Sequence, residues 1–177
     1  TLDADLRLSG AQAFLRSAPN VDLLDSMVRV AAGGRLLIEA GRDFTLVNRN
    51  LVVDGRFEVG SGSVLGATSG SLSGAGLLQV RDGGTMTWTR SNLAAQGTLQ
   101  VDAGGLLVMS DAGSNHDHAG RTLVNQGTVH WTGGDIRGGS SGALASSIVN
   151  AGLWLDEHGD ANFRIADDNA PAGSSRL

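Results

Sequence analysis

Two of the chain's four histidines, His116 and His118, flank Asp117, with Asn115 before them and Asp111 nearby. Imidazoles at i and i+2 beside a carboxylate are donors of the kind that hold a transition metal. The surrounding residues, Ser-Asp-Ala-Gly-Ser-Asn-His-Asp-His-Ala-Gly-Arg over Ser110–Arg121, also make up an ordinary solvated loop tip. That second reading takes precedence, and neither a metal nor a cofactor is expected. If the chain recognises a ligand, Asp111, Asn115, His116, Asp117 and His118 are the residues expected to touch it, because binding residues concentrate on loops held by a rigid scaffold. Removing Asn115–Ala119 is accordingly expected to spare stability.

A second set of residues is charged: Arg35, Glu39, Arg56, Glu58, Arg81 and Asp102 fall at positions expected to point outward. Paired carboxylates on one face could support acid/base chemistry on a glycan, while a charged, soluble exterior accounts for the same residues. Thr87 and Thr89 form a Thr-x-Thr of the type found in ice-binding ladders, but the equivalents Gly66 and Thr68, then Val108 and Ser110, break the array. His130 and His158 have no catalytic partner in the pattern. No phosphate loop, nucleophile elbow or zinc-protease motif occurs. The absence of cysteine excludes thiol catalysis and Cys-ligated zinc. These residues do not point to an enzyme.

Whatever they do, a repeat positions them. Gly34-Arg-Leu-Leu-Ile is followed at steps of 21 residues by Gly55-Arg-Phe-Glu-Val, Gly76-Leu-Leu-Gln-Val and Gly97-Thr-Leu-Gln-Val. Gly127-Thr-Val-His-Trp and Gly152-Leu-Trp-Leu-Asp follow at wider spacing. A second glycine lies seven residues after each first one: Gly41, Gly62, Gly83, Gly104, Gly134 and Gly159. Self-similarity at this period signals a solenoid. After each first glycine, apolar residues alternate, as on a strand with one buried face. A second short strand carries Phe44 and Leu46, Leu65 and Ala67, Met86 and Trp88, Leu107 and Met109. A third apolar position is Leu51, Leu72, Leu93, Leu123 or Ile148. Glycine at this density would cost helices about 1 kcal/mol per residue. The fixed Asn and longer Leu ladder of leucine-rich repeats are missing.

The fold class is therefore all-β: a single-stranded parallel β-helix, or β-solenoid, of about 21 residues per coil with three short strands each. Like residues then stack in ladders, such as Leu36-Phe57-Leu78-Leu99-Val129. The glycines should form columns at the corners, where positive φ favours them.

At 177 residues this is one domain. Residues 1–33 read as an N-terminal cap or degenerate coil, with Leu15, Leu23 and Val30 at the apolar positions of a coil over 13–33; helices at 11–16 or 22–30 are the alternative. Residues 34–177 read as coils with insertions near 110–121 and 138–147, the first of nine residues and the second of four. Asn125 and Asn150 should stack as an amide ladder. The net charge is −5 and all 13 basic residues are Arg. That balance does not suit a nucleic-acid sleeve or a polybasic membrane patch, and no apolar run reaches the length of a membrane-spanning helix. The start at Thr1 and the Ala/Gly/Ser-rich end read as those of a fragment, with further coils of the same parent chain expected as its partners.

Gly-x-Φ-x-Φ blocks (Φ, an apolar residue) introduced by Asn-x-Gly, with Arg in place of Lys and no Cys, resemble the passenger regions of large secreted bacterial surface proteins, the autotransporter and filamentous-haemagglutinin-like exoproteins. The resemblance covers about residues 34–165 and carries no catalytic residue onto this chain. It implies a parallel β-helix, export to the cell surface or medium, and adhesion to a surface, glycan or protein receptor. From another functional class, a carbohydrate-active β-helix (a polysaccharide lyase, hydrolase or tailspike-like domain) would call for carboxylates and aromatics lining one outer face. Trp88 and Trp131 fall at inward positions, which favours the adhesive reading.

Overall fold

The computed structural model describes residues 6–8, 13–17, 21–24, 27–39, 41–110, 113, 115–138, 145–159, 165–167 and 175–176. From Met27 onward, short strands stack in parallel on three faces, giving a β-solenoid of about six turns. Face A holds Arg35–Ile38, Arg56–Val59, Leu77–Val80 and then residues 98–101. Face B holds Asp43–Val47, residues 64–68 and 85–89, and Leu106–Met109. Face C holds Met27–Val30, Asn50–Val53 and the stretches around Leu72 and Leu93. On each strand alternate side chains turn inward, and the interior is a stack of apolar ladders. Leu36, Phe57, Leu78 and Leu99 lie on one line and are at most 1% exposed.

The corner glycines do two different jobs. Gly41, Gly62, Gly83 and Gly104, between faces A and B, all have positive φ, from +68° to +80°. Their amides link coil to coil, Gly62 N–H donating to Gly83 C=O at 2.7 Å and Gly83 N–H to Gly104 C=O at 3.0 Å. Gly34, Gly55, Gly76 and Gly97 form the second column, between faces C and A. There the constraint at Gly55 and Gly76 is space, since a Cβ on either would overlap the carbonyl oxygen of the glycine one coil back. The corner between faces B and C uses no glycine in three coils. Asn48, Ser69 and Arg90, again 21 apart, take φ of 53–56°.

Past Gly97 the register departs from the sequence expectation. Leu99 stacks on Leu123, not on Val129, and Gln100 stacks on Val124. Val129 instead continues face B, beneath Leu107 and above Trp154. Gly127 belongs with Gly105 and Gly152, not with Gly97: Thr128 N–H donates to Gly105 C=O at 2.9 Å and Leu153 N–H to Gly127 C=O at 2.8 Å. Gly134 (φ +81°) likewise sits between faces B and C, away from the Gly104 column. The physical reason is that a corner glycine followed by Φ-x-Φ introduces face A and face B strands alike. The motif therefore recurs one face further along, while Thr122-Leu123-Val124-Asn125 supplies face A. The coil excess is spread out accordingly. Leu93 to His118 spans 25 residues and Leu107 to Val129 spans 22, so no nine-residue loop forms. The amide ladder is present, with Asn125 Nδ2 donating to Asn150 Oδ1 at 2.7 Å. Of the second expected insertion, 139–144 lies outside the described residues.

The N-terminal strands do not continue the parallel stack as a coil shifted by 21. Ala13–Ser17 runs antiparallel to Arg35–Ile38, placing Leu15 opposite Ile38, and Val21–Leu24 runs antiparallel to Met27–Val30. Leu6–Leu8 pairs antiparallel with Ala13–Ser17. Strands occupy 13–17, 21–24 and 27–30, where helices were the alternative.

Candidate functional site

The residues singled out around His116 do not form a loop tip. His116–Asn125 is a strand, preceded among the described residues by Asn115 and by Gly113 in a turn, both exposed. Strand alternation then separates the proposed ligands. His116 (0% exposed) and His118 (3%) point into the core, while Asp117 points outward and pairs with Arg137, Oδ1 to Nη2 at 2.6 Å. Asn115 is exposed and Asp111 lies outside the described residues. Among the described residues no group of three His, Cys, Asp or Glu side chains is gathered for a metal.

The His116 ring stands edge-on to Trp88, centroids 5.0 Å apart, with Nε2 2.8 Å from the Gly133 carbonyl oxygen. His118 takes the inward place that Leu93 holds one coil earlier. Its backbone is fixed by Ser146, whose hydroxyl donates to His118 C=O and accepts from Gly120 N–H at 2.9 Å. Gly120, at φ +85°, turns the chain from face C to face A. Arg121 follows in the register position of Gly97 and is 1% exposed. Its Nη2 donates to Gly74 C=O at 2.7 Å, two coils back, and Nη1 to Thr98 C=O at 3.2 Å. The guanidinium carbon lies 3.0 Å from where a Cβ on Gly97 would be, so glycine there makes room for it. The fifth coil thus carries an imidazole and a guanidinium where its predecessor carries Leu93 and Gly97, with a second buried imidazole, His116, on the same strand.

Burial lowers Arg121 to about 10, leaving it cationic at neutral pH. His118 is lowered to about 4, first by burial and then by the Arg121 cation, against a hydrogen bond to the Arg121 backbone that favours its charged form. The folded value lies below the ordinary 6.5 of an unfolded chain, so the fold favours neutral His118. Its contribution to stability is complete above pH 6.5 and is lost as pH falls from 6.5 toward 4. The loss expected over that window is about 3 kcal/mol. Urea unfolding of the wild type from pH 7.5 to 4.5 should show that slope, and His118→Leu should flatten it. An equal slope in the variant would assign the acid sensitivity elsewhere. Deleting Asn115–Ala119 is now expected to break face C, the reverse of the sequence expectation, because His116, His118 and Ala119 are core residues.

Face A carries the charged set. Glu58 points outward yet is only 3% exposed, because Arg35 Nε donates to Oε2 and Arg81 Nη1 stands 3.9 Å from Oε1. Glu58 in turn raises Arg35 above its ordinary value. Gln79 and Gln100 both donate to Asp102 at 2.6 Å. Beside them a shallow hollow of about 410 Å³ is lined by Leu37, Glu39, Gly60, Ser61 and Arg81. The carboxylates here are bound into ladders with Arg and Gln. Thr87 lines up with Gly66 and Val108, and the corrected register adds His130, so the threonine array is broken as the sequence indicated. His130 bonds Glu157 at 2.7 Å on the outside of face B, and His158 stacks on Trp131 at 4.4 Å. At the sixth coil a hollow of about 620 Å³ is lined by Ile148, Val149, Asn150, Trp154 and Ile165.

Sequence reasoning missed the buried Arg121 and the face shift that places it. The signal was present in a second alignment: Gly84-Thr-Met-Thr-Trp, Gly105-Leu-Leu-Val-Met and Gly127-Thr-Val-His-Trp match better than the glycine spacing alone. Compared with known proteins, the chain matches no family model, no curated protein and no solved structure.

Proposed function

We propose that this chain is a structural and adhesive segment of a secreted or surface-displayed bacterial rod, which holds contact surfaces away from the cell or touches a receptor itself. The observation that carries this reading is the stacking of like on like over successive coils. Each coil buries its apolar edges against its neighbours, so the architecture lengthens by addition of coils and presents repeating flat faces. Outward apolar side chains support it: Val149 and Leu153, in the outward places of Val124 and Thr128 one coil earlier, are 51% and 53% exposed and give the sixth coil an apolar outer surface suited to contact. Secretion, surface display and a glycan or protein receptor follow from the resemblance and belong to the same proposal.

The second reading, a carbohydrate-active or glycan-binding β-helix, rests on the hollow beside Glu39, Gly60 and Arg81. One experiment separates the two. Beads coated with the folded chain are held under flow against protein-coated, glycan-coated and cell surfaces, with the same chain unfolded as the control. Retention that requires the folded chain is the expected result. Retention no greater than that of the unfolded chain contradicts the adhesive role. New reducing or unsaturated sugar ends released from a polysaccharide would replace it with the enzymatic one.

A further inference from the structure

The inside of the fifth coil contains a cation that no described residue neutralises. Arg121 is 1% exposed, and its two terminal nitrogens donate to backbone carbonyls of Gly74 and Thr98. Among the described residues no carboxylate meets it, and burial is the single influence on its charge state. The remaining donor, Nε, is buried and has no acceptor among the described residues; the same is true of Nε2 of His118. Carbonyl dipoles satisfy hydrogen bonds but supply no full opposite charge. A buried charge costs several kcal/mol unless it is paired. Elsewhere in this chain guanidiniums pair with carboxylates, Arg35 with Glu58 and Arg137 with Asp117. Arg121 departs from that pattern at the place where two polar groups stand in the apolar stack.

We propose that the fifth coil holds a small monovalent inorganic anion of the halide class against Nε of Arg121, with His118 as its second ligand when protonated. The anion supplies the missing counter-charge and accepts the unused N–H. Binding is linked to protons. A halide next to His118 offsets the effect of the Arg121 cation, so the anion raises the affinity of His118 for a proton, and protonation tightens the anion by the same factor. Among the described residues strand pairing sets His118 against Leu93 and Gly138 and Arg121 against Gly97, and the one other titratable group turned inward on this strand, His116, is held by Trp88 and the Gly133 carbonyl.

The test uses the whole chain in sodium gluconate at constant ionic strength, with bromide exchanged for gluconate. The expected result is a rise in melting temperature that grows with the logarithm of bromide concentration and reaches about 3–6 °C when bromide exceeds its dissociation constant tenfold. Arg121→Gln should lose the rise, and Arg35→Gln, on the outer face, should keep it. A flat response of the wild type, or a rise that persists in Arg121→Gln, overturns the proposal. Should Arg121→Gln fail to fold, the decision passes to the His118 imidazole signals of the wild type in NMR titrations. An upward shift of its pKa with bromide supports the site. An unchanged pKa overturns it and leaves a neutral partner such as water for Nε.

Discussion

Gly76→Ala is expected to be among the most damaging single-methyl changes available to this chain. The added Cβ would overlap the carbonyl oxygen of Gly55 and stand 2.6 Å from the carbonyl carbon of Asp54. Both obstacles are backbone, and both belong to the neighbouring coil, so no side chain can swing aside. The same carbonyls carry the stack: Leu77 N–H donates to Gly55 C=O at 2.9 Å and Thr98 N–H to Gly76 C=O at 3.0 Å. Relieving the clash means parting two coils. A cost of about 3 kcal/mol or more is expected, at the upper end of overpacking effects, or a fall in melting temperature on the order of 10 °C. Gly62→Ala is the control. Its φ of +68° strains an L-residue, but its Cβ would meet nothing closer than 3.5 Å, and about 1–2 kcal/mol is expected there. Circular dichroism melts of both variants should rank Gly76→Ala well below Gly62→Ala. The opposite ranking would mean that close approach is not what the first glycine column provides.

Leu78→Ala should be comparably costly for the opposite reason, since it opens space where Gly76→Ala removes it. Leu78 is 1% exposed and lies between Phe57 and Leu99 on the face A ladder. A buried Leu→Ala change costs about 2–5 kcal/mol, the upper values where the site cannot collapse. Here collapse is opposed on both sides by strands whose spacing hydrogen bonds fix. Because each coil touches chiefly its neighbours, the damage should be local at first. Hydrogen exchange should quicken in Arg56–Val59, Leu77–Val80 and residues 98–101 before it does in Leu153–Asp156. A melt unchanged by the substitution, or uniform loss of protection, would contradict the layered core.

The three coils from Gly34 to Gly97 were legible in the sequence because each residue there answers to one local rule. A buried strand face alternates, a corner of positive φ takes glycine, and an unbroken step of 21 leaves a single way to lay one coil on the next. Beyond Gly97 those rules stop being unique. Gly127-Thr-Val-His-Trp satisfies the same pattern on face A as on face B, and only the competition with Leu123 for the place above Leu99 decides between them. That competition is tertiary and leaves no local mark. The candidate site was misplaced for a related reason. His, Asp, Asn and Ser read as a solvated loop by composition, yet His116 and His118 alternate inward on face C, and the turn at Gly120 shifts the phase so that Arg121, Leu123 and Asn125 are the buried set on face A. The buried guanidinium of Arg121 could not be read from its neighbours in sequence, since the carbonyl groups that hold it belong to Gly74 and Thr98. Nor did glycine mark the turn at Asn48, Ser69 and Arg90.

The central structural claim is that the fifth coil lies on the fourth with its glycine motif moved on by one face. It can be tested with paired cysteines in a chain that has none of its own. Val108 and His130 are cross-strand partners pointing outward on face B, as are Gln100 and Val124 on face A. Neighbouring parallel strands about 4.8 Å apart fall within the range that a disulfide spans. Mild oxidation of the folded chain should therefore link Val108→Cys with His130→Cys, and Gln100→Cys with Val124→Cys, and should leave Gln100→Cys with His130→Cys unlinked. Rapid closure of the last pair with failure of the first two would restore the unshifted register and contradict the fold described for residues 98–156.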